Sequence, residues 1–200
     1  LREKFLKIAK AFADFLLPII DVNVKDVTLT GSNANYNWTD KSDIDLHVLI
    51  NYKDIKAYDA NSALVREYLM AKKSIWNNNY PLTFGGMQIE LYAQDTNEPH
   101  ASTGVFSVMK NKWIQKPNSD IVSIEDDAID NKANPYAYEI DNMKHGDIDI
   151  LPKIKRLKKR LKRMRQTGLE KEGEYSVENL AFKKLRNTGH LERLSQLEKT

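Results

Sequence analysis

The spacing of apolar residues along the chain predicts a first half rich in strands. Apolar residues recur at helical spacing from Leu1 and stop before Pro18, as is typical of an amphipathic helix. Strands are predicted over 26–30 and 42–50, because apolar and polar residues alternate in both segments. The second strand therefore has an apolar face and a polar, mainly acidic face. The polar face carries Asp43, Asp45 and His47.

A third carboxylate is predicted on a later strand. Residues 54–76 have the apolar spacing of a helix that crosses over a sheet. Two short strands are then predicted around Gly85-Gly86, and the second places Glu90 on the face opposite its apolar residues. Residues 103–117 predict a further strand or hairpin with Asn111 in the turn.

After this hairpin the alternating pattern disappears and only helices are predicted. The acidic segment 123–147 indicates two helical pieces broken near Pro135. The segment 151–168 indicates a strongly basic helix that ends at Gly168. Ser176 is a candidate N-cap for the next helix, and a last helix follows it.

These elements together predict the α+β class. The expected architecture is a mixed β-sheet flanked by helices, followed by a C-terminal helical region. The organisation indicates two domains, one over 1–118 and a helical one over 119–200.

Composition narrows the possible functions. The chain has 200 residues, of which 41% are hydrophobic and 30% charged, as in ordinary folded proteins. It has no cysteine, which excludes disulfides, thiolate zinc sites and a cysteine nucleophile. No apolar run is long enough to cross a bilayer and no secretory signal is recognisable. We therefore expect a cytoplasmic protein without a membrane partner.

Charge is unevenly distributed along the chain. Residues 1–150 carry 16 Lys and Arg against 22 Asp and Glu, whereas residues 151–200 carry 15 against 6. Nine of the thirteen residues in 153–165 are Lys or Arg. This basic helix could simply face solvent, form the wall of an active-site groove opposite the carboxylates, or bind RNA or another polyanion. We favour contact with phosphate groups.

The three carboxylates indicate a site for a divalent cation. If the two strands pair, Asp43, Asp45 and Glu90 converge, and each like-charged pair at about 5 Å costs roughly 3 kcal/mol at an effective dielectric near 20. A cation removes that cost, and oxygen ligands without cysteine or paired histidines favour Mg²⁺ or Mn²⁺. The Gly31-Ser32 turn could hold phosphates through backbone N–H groups and a hydroxyl.

The segment GSNANYNWTDKSDIDL resembles the motif of the nucleotidyltransferase superfamily, in particular that of the minimal nucleotidyltransferases. The IEL segment resembles the strand that bears the third carboxylate of that superfamily. More weakly, residues 173–194 resemble the tail of bacterial and bacteriophage nucleotidyltransferase-like proteins. The residues that match the motifs are Gly31, Ser32, Ala34, Ser42, Asp43, Asp45, Leu46 and Glu90.

The resemblance implies a role for each matching position. Asp43 and Asp45 would bind two metal ions and Glu90 would complete one metal site. Gly31, Ser32 and Ser42 would bind the nucleotide. The implied reaction transfers a nucleoside monophosphate from a nucleoside triphosphate to an acceptor hydroxyl by a two-metal mechanism. The acceptor could be RNA, a protein or a small molecule.

The chain departs from the family pattern in the loop. Asn35, Tyr36 and Trp38 replace an arginine, a glycine and an alanine, so a basic contact to the nucleotide is missing. The two aromatic residues either stack on a base or pack on their own domain. His47 is either a solvated strand residue or a contact to a substrate phosphate.

Two other functions fit the sequence. The chain could be a non-catalytic nucleic-acid-binding module that uses the basic helix, or an antitoxin-type enzyme that modifies a partner protein. Clustered carboxylates favour an enzyme, because a module that only binds nucleic acid does not need them.

Overall fold

The chain forms two compact units, Leu1–Ser119 and Asp120–Thr200. A computed structural model describes residues 1–16, 22–118 and 126–199. These residues form a mixed six-stranded sheet and six α-helices, consistent with the predicted α+β class. None of the helices in the described ranges combines the length and the apolar character that a membrane crossing requires.

The first unit contains the sheet and two helices. Its elements are α1 (Arg2–Leu16), β1 (Val24–Thr30), β2 (Ile44–Ile50), α2 (Ser62–Asn79), β3 (Thr83–Phe84), β4 (Met87–Asp95), β5 (Val105–Ser107) and β6 (Lys112–Gln115). The strand order is β3-β4-β2-β1-β5-β6. Strands β2 and β4 run parallel and the other neighbouring pairs are antiparallel.

The predicted alternation in the central strands is confirmed. One face of the sheet is apolar and forms the core with the apolar sides of α1 and α2. The opposite face of β1, β2 and β4 carries polar side chains. The apolar face includes Val27, Ile44, Leu46, Val48, Ile89 and Leu91.

The sequence correctly predicts α1 and the hairpin, but it misplaces α2. Asn111 has a φ of 53° and lies between β5 and β6, as expected for the turn. The helix predicted over 54–76 begins only at Ser62, because Asn61 caps it by accepting a 3.0 Å hydrogen bond from the Leu64 N–H. The stop predicted at Pro18 lies outside the described residues.

The second unit is helical throughout its described part, as predicted. Its elements are α3 (Asp126–Asp141), α4 (Ile150–Glu172), α5 (Val177–Asn187) and α6 (His190–Glu198). They share one apolar core, to which α4 contributes the stripe that its sequence predicts. That stripe consists of Ile154, Leu157, Leu161 and Met164. Ser176 caps α5 as predicted, because its side chain accepts a hydrogen bond from the Asn179 N–H.

Two predicted helix boundaries in this unit are wrong. Helix α3 continues through Pro135, where buried Ala133 and Ile140 on either side of the proline pack in the same core. Helix α4 continues past Gly168 to Glu172, and the glycine is buried within the helix. A Cβ on Gly168 would lie 2.5 Å from Ser176 Oγ, so this glycine permits a close approach of two elements and does not end the helix.

Candidate active site

The candidate active site lies on the polar face of the three central strands. Asp45 on β2 is the direct register partner of Glu90 on β4, and Thr30 on β1 is its partner on the other side. Neighbouring strands are about 5 Å apart, so the register brings the two acidic residues into adjacent positions. Both acidic residues are half-buried. The structure therefore places two of the three predicted carboxylates side by side in the sheet.

Asp43, the third predicted carboxylate, lies just before β2 at the end of the loop that follows β1. Its backbone carbonyl accepts a 2.7 Å hydrogen bond from Asn33 Nδ2, which ties the two ends of the loop together. Across residues 1–16, 22–118 and 126–199, no group of three histidine, aspartate or glutamate side chains is arranged to hold a metal ion. The structure thus pairs Asp45 with Glu90 but does not assemble all three carboxylates into one cluster.

The donor atoms at this position nevertheless fit Mg²⁺ or Mn²⁺. Asp45 and Glu90 offer carboxylate oxygens from adjacent strands, and the chain contains no thiol. Hard divalent cations prefer such oxygen ligands and usually take only one or two carboxylates from the protein. Asp45 and Glu90 are therefore the residues that would hold the cation.

Gly31 lies directly against the Asp45 carboxylate. Its backbone has a φ of 68° and a ψ of −158°, a region that is almost restricted to glycine. A Cβ on Gly31 would overlap Asp45 Oδ2. The turn predicted from the Gly-Ser pair is therefore present, and its glycine is required both by the backbone conformation and by contact with the carboxylate.

A segment that the sequence analysis missed holds this loop in place. Ser102 Oγ accepts a 3.1 Å hydrogen bond from the Gly31 N–H. Asn35 donates a side-chain hydrogen bond to Thr103 Oγ1. A Cβ on Gly104 would overlap the backbone carbonyl of Ala34. Residues 102–104 thus contact the loop at three successive points.

The two serines proposed for nucleotide binding have different surroundings. Ser32 begins a short 3₁₀ helix, Ser32–Ala34, and its hydroxyl has no hydrogen-bond partner within the described ranges. Ser42 is only 1% exposed, and its hydroxyl accepts a 2.8 Å hydrogen bond from the Thr39 N–H. The Gly31 N–H is bonded to Ser102. Of these three predicted nucleotide-binding residues, Ser32 is therefore the one that offers a side chain to a ligand in this conformation.

His47 lies two residues after Asp45 on the same face of β2, and both of its ring nitrogens form hydrogen bonds. Its Nδ1 lies 2.6 Å from Gln94 Oε1, and its Nε2 lies 3.2 Å from Thr30 Oγ1. Because the amide oxygen only accepts, Nδ1 carries the proton and Nε2 accepts from the threonine hydroxyl. Burial lowers the pKa of His47 below its ordinary value, although the hydrogen bond to Gln94 opposes this. His47 is therefore a neutral structural link between β4 and β1, which neither of its two predicted roles describes.

Two aromatic side chains project from the loop. Tyr36 is 56% exposed and Trp38 is 59% exposed. The prediction that they could pack on their own domain is not supported, because more than half of each side chain is open. The neighbouring Asn35 is buried and fixes the loop through hydrogen bonds with Thr103 and the Tyr36 N–H. The loop therefore presents two exposed aromatic side chains from an anchored backbone.

Comparison of the chain with protein-family models, with curated proteins and with solved structures finds no match. The geometry of the residues on the polar face of the sheet is therefore the basis for a function of this chain.

Proposed function

We propose that this chain is an Mg²⁺-dependent nucleotidyltransferase with a nucleotidyltransferase-like sheet. In this proposal it transfers a nucleoside monophosphate from a nucleoside triphosphate to an acceptor hydroxyl. The observation that supports it most directly is the register pairing of Asp45 with Glu90, beside the Gly31 backbone. Two carboxylates at directly paired positions repel one another unless a cation lies between them.

Each part of the site has a role in this proposal. Asp45 and Glu90 would hold the divalent cation through their carboxylate oxygens. The bound cation would neutralise charge on the phosphates and stabilise the attacking and leaving oxygens. Ser32 contacts the triphosphate through its hydroxyl, and Gly31 leaves the Asp45 carboxylate uncovered because it has no side chain.

The proposed reaction is a single displacement at phosphorus. The acceptor hydroxyl oxygen forms a bond to the α-phosphorus, and the bond from that phosphorus to the bridging oxygen breaks. Pyrophosphate leaves with the bonding electrons, and the hydroxyl proton passes to a carboxylate of the site. Alignment and charge stabilisation would provide most of the rate enhancement in such a reaction.

The test is transfer of label from nucleoside triphosphates that are labelled at the α-phosphate. The full chain is incubated with Mg²⁺ or Mn²⁺ and each nucleotide, with cellular RNA, protein or small-molecule extracts as acceptors. We expect one acceptor class to be labelled. The substitutions Asp45→Asn and Glu90→Gln remove the paired charges at nearly unchanged volume, and each should lower labelling by at least about 100-fold.

A matched control removes two carboxylates that lie outside the site. Asp59 and Glu67 are exposed, so Asp59→Asn with Glu67→Gln changes the net charge equally and should leave labelling unchanged. Binding of Mn²⁺, followed by electron paramagnetic resonance, gives a second readout that needs no acceptor. Labelling that persists when both Asp45 and Glu90 are neutral would contradict the assignment.

A non-catalytic nucleic-acid-binding module is the second candidate. It is favoured by the exposed cations of α4, where Lys155, Arg156, Lys159, Lys162 and Arg163 are all open to solvent. Salt-sensitive binding of nucleic acid without transfer of label to any acceptor would favour this candidate.

A further inference from the structure

Helix α4 carries positive charge that the rest of its unit does not neutralise. Of its nine cations between positions 153 and 165, six form no ion pair with an acidic side chain in the part of the chain that the structure describes. Three others have other contacts: Lys158 pairs with Glu198, Arg160 pairs with Glu139 at 2.9 Å, and Arg165 Nε donates to Asn179 Oδ1 at 3.2 Å. The six unneutralised cations are Lys153, Lys155, Arg156, Lys159, Lys162 and Arg163.

Five of these six cations share one face of the helix. Successive residues turn by about 100° around a helix axis, which places Lys155, Arg156, Lys159, Lys162 and Arg163 within an arc of about 120°. The arc is centred opposite the stripe that packs in the core of the unit. These five cations, which we call the basic face, are all exposed. They span about 12 Å along the axis, enough for more than one phosphate of a nucleic-acid strand.

One cavity of this unit adjoins the basic face. It has a volume of about 370 Å³ and lies between α4, α5 and α6. Leu161, Leu191 and Leu194 provide apolar lining, and Phe182 provides an aromatic ring. Lys162 belongs both to this lining and to the basic face, so the cavity and the face are continuous.

The polar side of the cavity is also suited to a ligand with a flat ring. The Arg165 guanidinium lies over the Phe182 ring, 4.9 Å from its centroid, and both residues line the cavity. Nucleobases stack on aromatic rings and on guanidinium planes, and their polar edges accept hydrogen bonds from arginine. The cavity therefore combines apolar side chains, an aromatic ring and cations, and it adjoins the basic face.

We propose that this surface binds single-stranded nucleic acid. The basic face of α4 contacts successive phosphates, and the adjoining cavity receives one unstacked base. A duplex keeps its bases stacked and cannot place one in the cavity without being opened. A membrane is a poor partner for this face, because the apolar stripe of α4 points into the core and the Phe182 ring is partly buried beside the cavity. The inference does not depend on the proposed transferase activity.

The binding test uses the full chain and fluorescently labelled RNA and DNA oligonucleotides, single-stranded or duplex. Fluorescence anisotropy gives affinity at salt concentrations of about 50 to 200 mM. We expect single strands to bind more tightly than duplexes, and the RNA and DNA arms show which strand is preferred. Replacing Lys155, Lys159 and Arg163 by Gln should weaken binding at least about tenfold and reduce the slope of log affinity against log salt by about 2.

A matched charge control lies in the other unit. Lys7, Lys53 and Lys56 are exposed, and replacing all three by Gln lowers the net charge by the same amount. This control should bind nucleic acid nearly as well as the unmodified chain. Equal weakening in both triple variants would overturn the proposed location, because binding would then follow net charge only.

The cavity is tested separately from the charge. Ser195 lines the cavity and is half-buried, so Ser195→Met should fill space without changing charge. It should weaken binding of a normal single strand about tenfold, and it should have no effect on an oligonucleotide that lacks bases. Phe182→Leu, which removes the ring and keeps apolar volume, should act in the same way, and circular dichroism checks that both variants fold.

Three results would overturn the proposal. The first is equal affinity for duplexes and single strands, and the second is equal affinity for oligonucleotides with and without bases. The third is tighter binding to polyglutamate or to vesicles of anionic lipid than to any oligonucleotide, which would assign the basic face to a different partner. Neutralising Asp45 and Glu90 should leave nucleic-acid binding intact, so failure of the transferase proposal and failure of this one are distinguishable.

Discussion

Gly31 and Asp45 approach each other so closely that the glycine has no room for a side chain. The contact joins the turn after β1 to the carboxylate at the centre of the candidate site. The glycine also has a φ of 68° and a ψ of −158°, which other residues rarely adopt. Both the backbone and the space at this position therefore require glycine.

Gly31→Ala should destabilise the first unit and remove activity. The backbone strain alone costs about 1–3 kcal/mol, and the overlap with Asp45 must displace either the loop or the carboxylate. All three tryptophans, Trp38, Trp76 and Trp113, lie in this unit, so unfolding in urea followed by tryptophan fluorescence reports on it. We expect a lower free energy of unfolding and loss of transferase labelling.

Gly86→Ala is the matched control for this prediction. Gly86 also has a positive φ, 84°, but a Cβ added there would meet no atom within 4 Å. Gly86→Ala therefore measures the cost of backbone strain alone, because the new Cβ overlaps no other residue. If Gly31→Ala costs no more stability than Gly86→Ala and retains activity, the contact with Asp45 is not required.

The alternating pattern predicted which residues share a face of the sheet, but it could not predict their register. Period-two alternation alone predicts that Asp43, Asp45 and Glu90 lie on polar faces. The pairing of Asp45 with Glu90 depends on a parallel contact between strands that are separated by α2. The link from Gln94 through His47 to Thr30 depends on the register of β2 with both of its neighbours, which alternation within one strand does not encode.

The glycines of this sequence have different structural roles that their positions in the pattern do not distinguish. The Gly-Ser pair correctly indicated a turn at Gly31, because that turn requires a positive φ. The sequence pattern predicts that α4 ends at Gly168, yet this glycine lies inside the helix and permits contact with Ser176. Gly104, which packs on the loop backbone, follows no periodic pattern that would mark it. A glycine needed for a turn and one needed for close contact look the same in a single sequence.

The pKa of His47 predicts how stability depends on pH. Burial lowers this pKa in the folded state, so the unfolded chain binds more protons between the folded pKa and the ordinary value of about 6.5. The neutral ring therefore contributes fully to the free energy of unfolding above about pH 6.5. This contribution is lost as the pH falls towards the folded pKa. Each pKa unit of lowering corresponds to about 1.4 kcal/mol.

His47→Gln should remove this part of the pH dependence. We expect the free energy of unfolding of the unmodified chain to fall more steeply between about pH 7 and pH 5 than that of the variant. Urea unfolding followed by tryptophan fluorescence measures both. His145→Gln is the control, because it replaces an exposed histidine of the other unit and leaves His47 and its hydrogen bonds in place. Parallel profiles for His47→Gln and the unmodified chain would contradict a neutral, buried His47.

Gly168→Ala should destabilise the helical unit although alanine favours helices. In an open helix this substitution would stabilise by about 1 kcal/mol. Here the new Cβ would lie 2.5 Å from Ser176 Oγ and 2.6 Å from Glu178 Cβ, which forces α4 away from the start of α5. We expect a net loss of about 1–3 kcal/mol, measured by far-ultraviolet circular dichroism, because this unit contains no tryptophan.

Thr167→Ala provides the comparison for the previous substitution. Thr167 is the neighbouring residue in α4 and is half-buried, so this change tests helix propensity without the contact at Ser176. It should leave the stability within about 0.5 kcal/mol of the original or raise it. An increase in stability for Gly168→Ala would show that α5 can move away at no cost.

Trp38→Ala should weaken nucleotide binding without weakening the fold. The side chain is 59% exposed on a loop whose neighbouring residues are fixed, so its removal leaves no cavity in the core. If the indole stacks on the base of the nucleotide, its loss should raise KM about tenfold and change kcat little. The reason is that stacking would stabilise the bound substrate and the transition state equally. Titration of the unmodified chain with nucleotide should quench its tryptophan fluorescence.

Tyr36→Ala tests whether both aromatic side chains contribute to the same contact. If the two rings hold one base together, the effects on KM of the single and double substitutions will not be additive. Trp113→Ala is the matched control, because Trp113 is 40% exposed on β6 and its loss should leave KM unchanged. A Trp38→Ala variant with unchanged KM for every nucleotide would contradict stacking of this indole on the base.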